Sequence, residues 1–258
     1  MTDFLDAPAL RASVLGGLWR QLDVVAFTGS TNADLAAAAR AGAESGRVLA
    51  TGDQRTGRGR LARSWGAPPD TSFACSVLVA PRRPMAEWGL LPLLVGMAVT
   101  DGVREATGLD AALKWPNDVL VDDRKLCGIL CESVFDAPGR PHAVLGFGLN
   151  VALSTEQLPV PTATSTRLEG SDASATAILA ACLVALERWF TFWDAGGDII
   201  APYRERCGTL GRDVVVHLAG GPVTGRAVAV DAHGGIVVAT PTGHQTFVAG
   251  DVEHLRRA

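Results

Sequence analysis

Residues 54–65 of the chain are QRTGRGRLARSW, and the other motifs lie before and after this stretch. It contains no acidic residue and sets four arginines among glycines: Arg55, Arg58, Arg60 and Arg63, with Gly57 and Gly59. Glycine lets the backbone approach a ligand closely, and a guanidinium offers a planar fork of donors that suits phosphate or carboxylate. The stretch therefore predicts a flexible cationic loop that binds an anion; a solvated basic loop is the alternative.

The residues before the loop predict secondary structure that holds it in place. Residues 7–20 favour a helix and residues 22–28 a strand, and Ser30 or Thr31 then caps an Ala-rich helix that ends near Arg40. Capping is the ordinary role of these hydroxyls, and binding of a small polar ligand at this strand-to-helix turn is the alternative. A strand at 47–53 leads into the loop and a strand at 71–80 leaves it.

The residues after the loop predict a helix-covered sheet. We expect a long apolar helix at 88–107, then a strand, a Pro-containing turn, a hairpin tightened at Asp122-Asp123, and a strand that ends near Val134. A further strand covers 142–151, and helices cover 174–194 and about 198 to 208. The Thr-, Ser- and Pro-rich residues 152–173 are long enough to form a lid.

The pattern changes near residue 210. From Gly211 onward, short alternating strands are separated by Gly-rich turns, which is typical of a small barrel. We therefore predict two domains, residues 1–208 with the arginine loop and residues 209–258 as the barrel.

Composition and charge limit the classes of function. The net charge is −4 at pH 7, which disfavours a general nucleic-acid binder because phosphate-backbone affinity needs a basic face. The five cysteines are scattered without metal-ligand spacing, so reduced and mostly buried thiols are expected. Asp3 and Asp6 stand where a leader peptide needs basic residues, and no apolar run is expected to span a bilayer. We expect a cytoplasmic protein.

Lysine and asparagine are rare in this arginine-rich chain. Lysine occurs only at 114 and 125, and asparagine only at 32, 117 and 150. All five positions fall in segments singled out on other grounds, which supports a functional role for those segments.

The stretch KWPND, residues 114–118, concentrates polar function at the end of a strand. It supplies a cation, an aromatic plane, a rigid turn, an amide and a carboxylate. Asp118 is a candidate magnesium ligand, since Mg²⁺ prefers one or two carboxylates together with phosphate oxygens of a substrate. Stabilisation of an Asx-type turn is the alternative role of Asp118.

Two further strands carry candidate site residues. Strand alternation predicts that Lys125 shares a face with Cys127 and Ile129, while the opposite face carries Leu126, Gly128 and Leu130. An exposed strand lysine is the alternative. Gly146, Gly148 and Asn150 end another strand with little bulk, so a flat ring has room against the backbone there.

The polar inventory favours chemistry between two anions. No serine, cysteine or histidine arrangement predicts nucleophilic catalysis. Arginine, lysine, asparagine and a carboxylate instead suit a carboxylate that attacks the α-phosphate of a nucleotide, because cationic groups and magnesium neutralise the repulsion.

These motifs together resemble the biotin protein ligases. The resemblance covers nearly the whole chain and is carried by five motifs: STN at 30–32, QRTGRGR at 54–60, KWPND at 114–118, KLCGIL at 125–130 and GFGLNV at 146–151. It implies a mixed α/β catalytic domain (α+β, mixed sheet), distantly like class II aminoacyl-tRNA synthetases, followed by a small SH3-like C-terminal β-barrel. It also implies condensation of biotin with ATP to biotinyl-5′-AMP and pyrophosphate, followed by transfer of biotin to one lysine of a biotin carboxyl carrier domain.

The resemblance also implies roles for individual residues. Biotin contacts are implied for Ser30, Thr31, Asn32, Gln54, Arg58, Gly59, Arg60 and Lys125. Nucleotide contacts are implied for Arg63, Trp65, Lys114, Asn117 and Asn150. Catalytic roles are implied for Arg58, Arg60, Lys114 and Lys125, with Asp118 as the Mg²⁺ ligand.

Some features depart from the family pattern or match it weakly. Ala62 stands where the family loop usually has a second glycine, and Ala163-Thr164-Ser165 resembles the lid over the adenine only weakly. About twenty residues precede the first strand, too few for the winged helix-turn-helix of repressor members, so no direct DNA binding is expected. A monomer and a homodimer both remain open.

Three alternatives stay beside a biotin ligase. A lipoate ligase or octanoyltransferase shares the fold and a lysine, but the arginine loop followed by KWPND favours biotin. A non-catalytic biotin sensor has no use for Lys114, Asn117 and Asp118. A nucleic-acid module is disfavoured by the acidic balance and by the lack of interleaved aromatic residues.

Overall fold

The computed structural model describes residues 4–60, 63–218 and 220–255. The helices are α1 (Ala7–Val14), α2 (Thr31–Arg40), α3 (Leu91–Thr107), α4 (Ala175–Asp194) and α5 (Ile200–Arg206). The strands up to residue 150 are β1 (Gln21–Val25), β2 (Arg47–Thr51), β3 (Gly57–Arg58), β4 (Ser64–Trp65), β5 (Ser72–Val79), β6 (Ala112–Lys114), β7 (Asp118–Val121), β8 (Arg124–Phe135) and β9 (Pro141–Asn150). The later strands are β10 (Asp213–His217), β11 (Val223–Val230), β12 (Ile236–Thr240), β13 (Gly243–Phe247) and β14 (Asp251–His254).

A seven-stranded mixed sheet forms the centre of the larger part, in the order β1-β2-β5-β9-β8-β7-β6. Only the β1–β2 pair is parallel, and the other neighbours in this sheet are antiparallel. One face packs against α1, α3 and α4 to form the main core, while the other face receives α2 through Leu35 and Ala39. The predicted mixed α/β fold is confirmed.

A second sheet holds the C-terminal strands in the order β13-β12-β11-β10-β14, with all pairs antiparallel. Alternate residues such as Val214, Val216 and Ile236 point inward and continue the main core. This is the small barrel that the alternating pattern predicts. The strand β14 was not predicted, although Val252 is its inward-facing residue. The division between residues 208 and 209 stays a prediction.

Local signals set several element ends. Ser30 caps α2, since its side chain accepts from the backbone N–H of Ala33, and Gly108 ends α3 in the left-handed conformation with φ 73°. Asp122 and Asp123 both have positive φ, 47° and 62°, in the tight turn between β7 and β8. These three predictions are confirmed.

Other element ends differ from prediction. The first helix stops at Val14 rather than residue 20, because Gly16 follows with φ 123° and turns the chain. The first strand stops at Val25 rather than residue 28, and Phe27 beyond it is 56% exposed. The chain leaves the sheet at that point to reach the cap of α2.

Two helical stretches, Met85–Thr107 and Ala175–Asp194, are long and apolar enough to cross a membrane by length and composition. The expectation that no run is long enough was therefore wrong. In this fold both stretches are core helices: they cross at Gly102, where an added Cβ would lie 2.5 Å from the backbone nitrogen of Cys182. Their apolar residues are explained by the core that they build.

Candidate active site

Small residues hollow out the face of the sheet that also carries α2. Ala74 and Ser76 of β5, Gly128 of β8, and Gly146 and Gly148 of β9 all point to this face, as strand alternation requires. The residues between them fill the main core from the other face: Phe73, Cys75, Val77, Cys127, Ile129, Leu145, Phe147 and Leu149. The same strands thus build a dense core on one side and a cavity of about 120 Å³ on the other.

Lys125 reaches this cavity because β8 is irregular. Lys125 pairs with Leu120 and Cys127 pairs with Val119, so Leu126 is an extra residue opposite the β7 strand. Leu126 and Cys127 are both buried in the core, whereas Lys125 lines the cavity together with Gly128. The predicted grouping of Lys125 with Cys127 and Ile129 was wrong, because a one-residue bulge reverses the alternation at this point.

A buried polar network shapes one end of the cavity. Ser76 lies 2.7 Å from Thr31 Oγ1 and 2.6 Å from Asn32 Oδ1. The Asn32 amide donates to Leu130 O at 3.1 Å and to Glu132 Oε2 at 2.7 Å, while Gln54 Oε1 accepts from the backbone N–H of Thr31 at 2.9 Å. Both the nitrogen and the oxygen of the Asn32 side-chain amide are therefore hydrogen-bonded, and this holds the side chain rigidly.

The start of the arginine loop is tied to the turn before α2. The backbone N–H of Arg55 donates to Thr28 O, and that of Thr56 donates to Gly29 O, both at 2.9 Å. The Arg55 guanidinium stacks over Phe27 at 3.9 Å and pairs with Asp53, outside the cavity. Arg55 thus differs from the later arginines of the loop, which line the cavity.

The three remaining loop arginines each approach a different partner. Arg58 lies 3.7 Å from Glu132, and Arg60 donates to Asn117 Oδ1 at 3.2 Å. Arg63 reaches across to Asp251 in β14 at 2.5 Å. Burial alone would raise the pKa of Asp251, but the hydrogen bond and charge of Arg63 lower it, and Asp251 in turn raises the pKa of Arg63. Arg58 and Arg63 are thus held by carboxylates that a substrate anion can replace, whereas Arg60 is held by an amide oxygen.

The KWPND turn brings opposite charges together beside the loop. Asp118 Oδ1 lies 2.6 Å from Lys125 Nζ, and Asp118 Oδ2 lies 4.0 Å from Lys114 Nζ. The side-chain N–H of Asn117 donates to Ile129 O at 2.8 Å. This bond fixes the orientation of Asn117 Oδ1, which accepts from Arg60. Among the described residues no group of three or more His, Cys, Asp or Glu is placed to hold a metal. One carboxylate still fits Mg²⁺ when phosphate oxygens supply the other ligands.

The space above the glycines of β9 and β8 is filled by Trp65. A Cβ at Gly148 would lie 2.3 Å from Trp65 Nε1, and a Cβ at Gly128 would lie 3.0 Å from the same ring. Lys125 Nζ lies 5.7 Å from the ring centroid. The flat ring expected at these glycines is thus a side chain of the loop in this structure.

The segment 152–173 runs beside the cavity and is firmly attached to it. Thr164 donates its backbone N–H to Lys125 O, and Lys125 donates its own to Thr162 O. Asn150, which does not line the cavity, donates its amide to Thr164 O at 2.9 Å. Residues 163–166 are buried, so this part of the expected lid forms a fixed strap.

Most of the predicted site residues come together. All eight predicted biotin contacts line the cavity: Ser30, Thr31, Asn32, Gln54, Arg58, Gly59, Arg60 and Lys125. Of the predicted nucleotide and metal contacts, the cavity is lined by Arg63, Trp65, Asn117 and Asp118. Lys114 lines an adjoining groove between the two sheets, together with Asp118 and Lys125. Ala62 lies outside the described residues.

Comparison with known proteins identifies the family. Residues 24–150 match the model of the biotin/lipoate A/B protein ligase family, and residues 209–255 match the biotin protein ligase C-terminal domain. The chain is 42% identical over 264 residues to the biotin–[acetyl-CoA-carboxylase] ligase of Mycobacterium tuberculosis, covering 98% of this chain and 96% of that protein. The chain belongs to the biotin protein ligase family. Family membership confirms the resemblance, the enzyme class and biotin ligase activity.

Two further relatives support the assignment of the chain to the biotin protein ligase family. The biotin–[acetyl-CoA-carboxylase] ligase of Paracoccus denitrificans is 31% identical over 240 residues, covering 89% of this chain and 98% of that protein. The biotin protein ligase of Aquifex aeolicus, solved in complex with biotin and ATP, superposes with a TM-score of 0.77 at 25% identity. That comparison covers 93% of this chain and 100% of the other.

Three residues of the ligase site escaped the sequence analysis: Ser76, Glu132 and Asp251. Ser76 and Glu132 lie on strands, where a single polar residue in an apolar run was the only available signal. Asp251 lies nearly two hundred residues after its partner Arg63, so no local pattern joins them.

Proposed function

We propose that the ligase activates biotin with ATP inside this cavity and then transfers it to a lysine of a biotin carboxyl carrier domain. In the first step a biotin carboxylate oxygen bonds to the α-phosphorus of ATP, the bond to the β-phosphate breaks, and pyrophosphate leaves. In the second step the lysine amine attacks the biotinyl carbonyl carbon, AMP leaves, and the amine proton goes to solvent. The proposal rests on one observation: the arginine loop and the KWPND turn meet through the Arg60–Asn117 hydrogen bond.

The cations are placed to neutralise the two reacting anions. We assign biotin to the end of the cavity with Thr31, Gln54 and Arg58, and the α-phosphate to the end with Lys125 and Asn117. Arg58 and Lys125 exchange a protein carboxylate for a substrate anion, and these carboxylates keep the electrostatic cost of an empty site low. Magnesium, bound by Asp118 and the nucleotide phosphates, would supply further neutralisation of charge.

Lys114 and Asn150 take roles outside the cavity lining. Lys114 lies in the adjoining groove, where it is placed to meet the outer phosphates of ATP. Asn150 holds the strap at Thr164 and so supports the nucleotide side indirectly. The cytoplasmic location, the oligomeric state and the absence of direct DNA binding stay predictions.

The direct test is incubation of the ligase with biotin, Mg-ATP and a carrier domain, followed by intact mass spectrometry. We expect one biotin per carrier domain and stoichiometric pyrophosphate. Lipoate or octanoate in place of biotin separates the alternative ligases, and binding of biotin without pyrophosphate release would support the sensor instead.

Lys125→Ala is the matched variant for this test. Loss of the ammonium removes the shorter of the two ion pairs of Asp118 and a positive charge beside the α-phosphate, so we expect pyrophosphate release to fall about 100-fold. Arg140→Ala, which removes an exposed cation paired with Asp136 on the β8–β9 hairpin, serves as control and should leave the rate unchanged. Normal pyrophosphate release by Lys125→Ala contradicts the role.

A further inference from the structure

The KWPND turn is anchored on the C-terminal sheet through its tryptophan. Trp115 is 1% exposed, and its indole Nε1 donates to Gly234 O at 2.8 Å. Its backbone N–H donates to Thr209 Oγ1 at 3.0 Å. Both partners lie beyond residue 208, so these two bonds tie the turn to the C-terminal part of the chain in addition to its place between β6 and β7.

Thr209 passes this contact on to the last strand. Its Oγ1 lies 2.9 Å from His254 Nε2 in β14, and Thr209 is completely buried. Thr209 accepts from Trp115, and its single hydroxyl hydrogen has two acceptors within reach, an unprotonated His254 Nε2 and the Cys207 thiol. With the hydrogen on the His254 side, the three groups form a chain of hydrogen bonds from the Trp115 N–H through the Thr209 hydroxyl to His254.

The surroundings keep His254 in the form that this chain needs. Burial, followed by the charges of Lys114 and Arg212, lowers the pKa of His254 to about 4, against the opposing influence of Asp123 and Asp118. The imidazole is therefore neutral near pH 7, and the tautomer that carries its proton on Nδ1 presents Nε2 to Thr209 as an acceptor.

We propose that His254 is a positioning residue for adenylate formation: through Thr209 it fixes the backbone at Trp115 and so aims the polar side chains of the KWPND turn. The inference rests on the proposed nucleotide roles of those side chains. It assigns the C-terminal sheet a part in ATP use, through a residue that lines the adjoining groove with Lys114 but not the cavity with the loop.

Substitutions of His254 distinguish a role as a hydrogen-bond acceptor from a role that only fills volume. His254→Leu fills similar volume but cannot accept the Thr209 hydrogen, so we expect the KM for ATP to rise at least about fivefold while the Kd for biotin changes less than about twofold. His254→Gln offers an acceptor on a side chain of similar reach and should recover most of the ATP affinity. Thr209→Val should resemble His254→Leu, and the double variant should be no worse than either single variant.

His244→Leu is the matched control. His244 lies on β13, is exposed, and lines neither the cavity nor the adjoining groove. We expect this variant to keep the KM for ATP of the parent enzyme. A similar rise in KM for His244→Leu would show a general effect of the barrel surface and would overturn the inference.

The remaining outcomes are decided by the same set of proteins. An unchanged KM for ATP in His254→Leu overturns the inference, and so does a folded His254→Gln variant that behaves like His254→Leu. Parallel losses of biotin affinity, ATP affinity and melting temperature show a purely structural role and also overturn it. Lys114→Ala reports on the proposed function separately: loss of ATP use there, with normal ATP use in His254→Leu, contradicts only the positioning role.

Discussion

At the scale of single residues, the arginines of one loop divide into a cavity-facing group and one that faces away. Arg60 bonds to the KWPND turn, whereas Arg55 stacks on Phe27 outside the cavity. Biotinyl-adenylate is a mixed anhydride that any amine can attack, so the enzyme must retain it until the correct lysine arrives. The contacts of Arg60 must offset about 1–2 kcal/mol of backbone entropy per ordered loop residue.

We therefore expect Arg60→Gly to form the adenylate but to lose it. Removal of an ionic hydrogen bond worth about 1.5–3 kcal/mol should speed escape by about tenfold or more. The measurement is biotin labelling of an unrelated lysine-rich protein in the presence of biotin and Mg-ATP. Arg55→Gly, with the same added backbone freedom, is the control and should not label the bystander faster. Equal bystander labelling by the parent and by Arg60→Gly would demote Arg60 to a simple binding contact.

Ser76 carries a second prediction at this scale. It is fully buried and joins Thr31 to Asn32, so Ser76→Ala leaves Asn32 Oδ1 without its donor. A loss of about 1–1.5 kcal/mol corresponds to a five- to tenfold weaker biotin Kd. Calorimetric titration with biotin checks this, with Ser133→Ala at an exposed position of β8 as control. Unchanged affinity would show that the network does not shape the biotin site.

At the scale of elements, β9 illustrates how one strand serves two purposes. Leu145, Phe147 and Leu149 build the core, while Gly146 and Gly148 leave room for Asn32 and Trp65. The bulge at Leu126 has the same character in β8, since it lets the strand bury two successive residues and still present Lys125 to the site.

Gly148→Ala tests whether the cavity side of β9 must be free of a side chain at this position. The new Cβ would lie 2.3 Å from Trp65 Nε1, so the ring must move, and we expect the KM for ATP to rise about fivefold or more. Overpacking should also lower the free energy of unfolding by about 1–3 kcal/mol. Steady-state kinetics and urea unfolding give the two values. Gly89→Ala adds a methyl group with no atom within 4 Å and should change neither. A Gly148→Ala enzyme with parental kinetics would show that Trp65 has no part in nucleotide binding.

At the scale of the whole molecule, the two sheets share one core and one site. Asp251 holds Arg63 of the loop, and Trp115 of the turn is buried against Gly234. The C-terminal sheet therefore holds both halves of the site from one side.

The partial burial of His254 also predicts that the stability of the protein depends on pH. The pKa of His254 in the folded chain, about 4, lies below the ordinary 6.5, so the folded chain binds fewer protons than the unfolded chain between these values. The contribution of His254 to the free energy of unfolding is complete above pH 6.5 and is lost as the pH falls toward 4. Lys114, Arg212, Asp118 and Asp123 are the charged groups that act on it.

Urea unfolding between about pH 5 and 6.5 measures this contribution. We expect the free energy of unfolding to fall with decreasing pH in the parent protein and to fall less steeply in His254→Leu. Identical slopes for the parent protein and His254→Leu would contradict the assignment of a buried neutral His254.

The sequence by itself determined the local features of this protein. The cap at Ser30, the end of α3 at Gly108, the turn at Asp122-Asp123 and the change to a barrel pattern follow from short-range chemistry that residues carry with them. The motifs also identified most of the polar residues that line the cavity, because arginine, lysine and asparagine were concentrated where two anions must meet.

Only the tertiary structure decided which way Lys125 points and which distant residues complete the site. A bulge changes strand alternation by one residue, and its signal lies in the pairing with β7 rather than in β8. Ser76, Asp251 and His254 reach their partners over long sequence separations, and each single residue is compatible with an ordinary strand. Periodicity reports burial along one element, whereas contacts between elements depend on how the sheets pack.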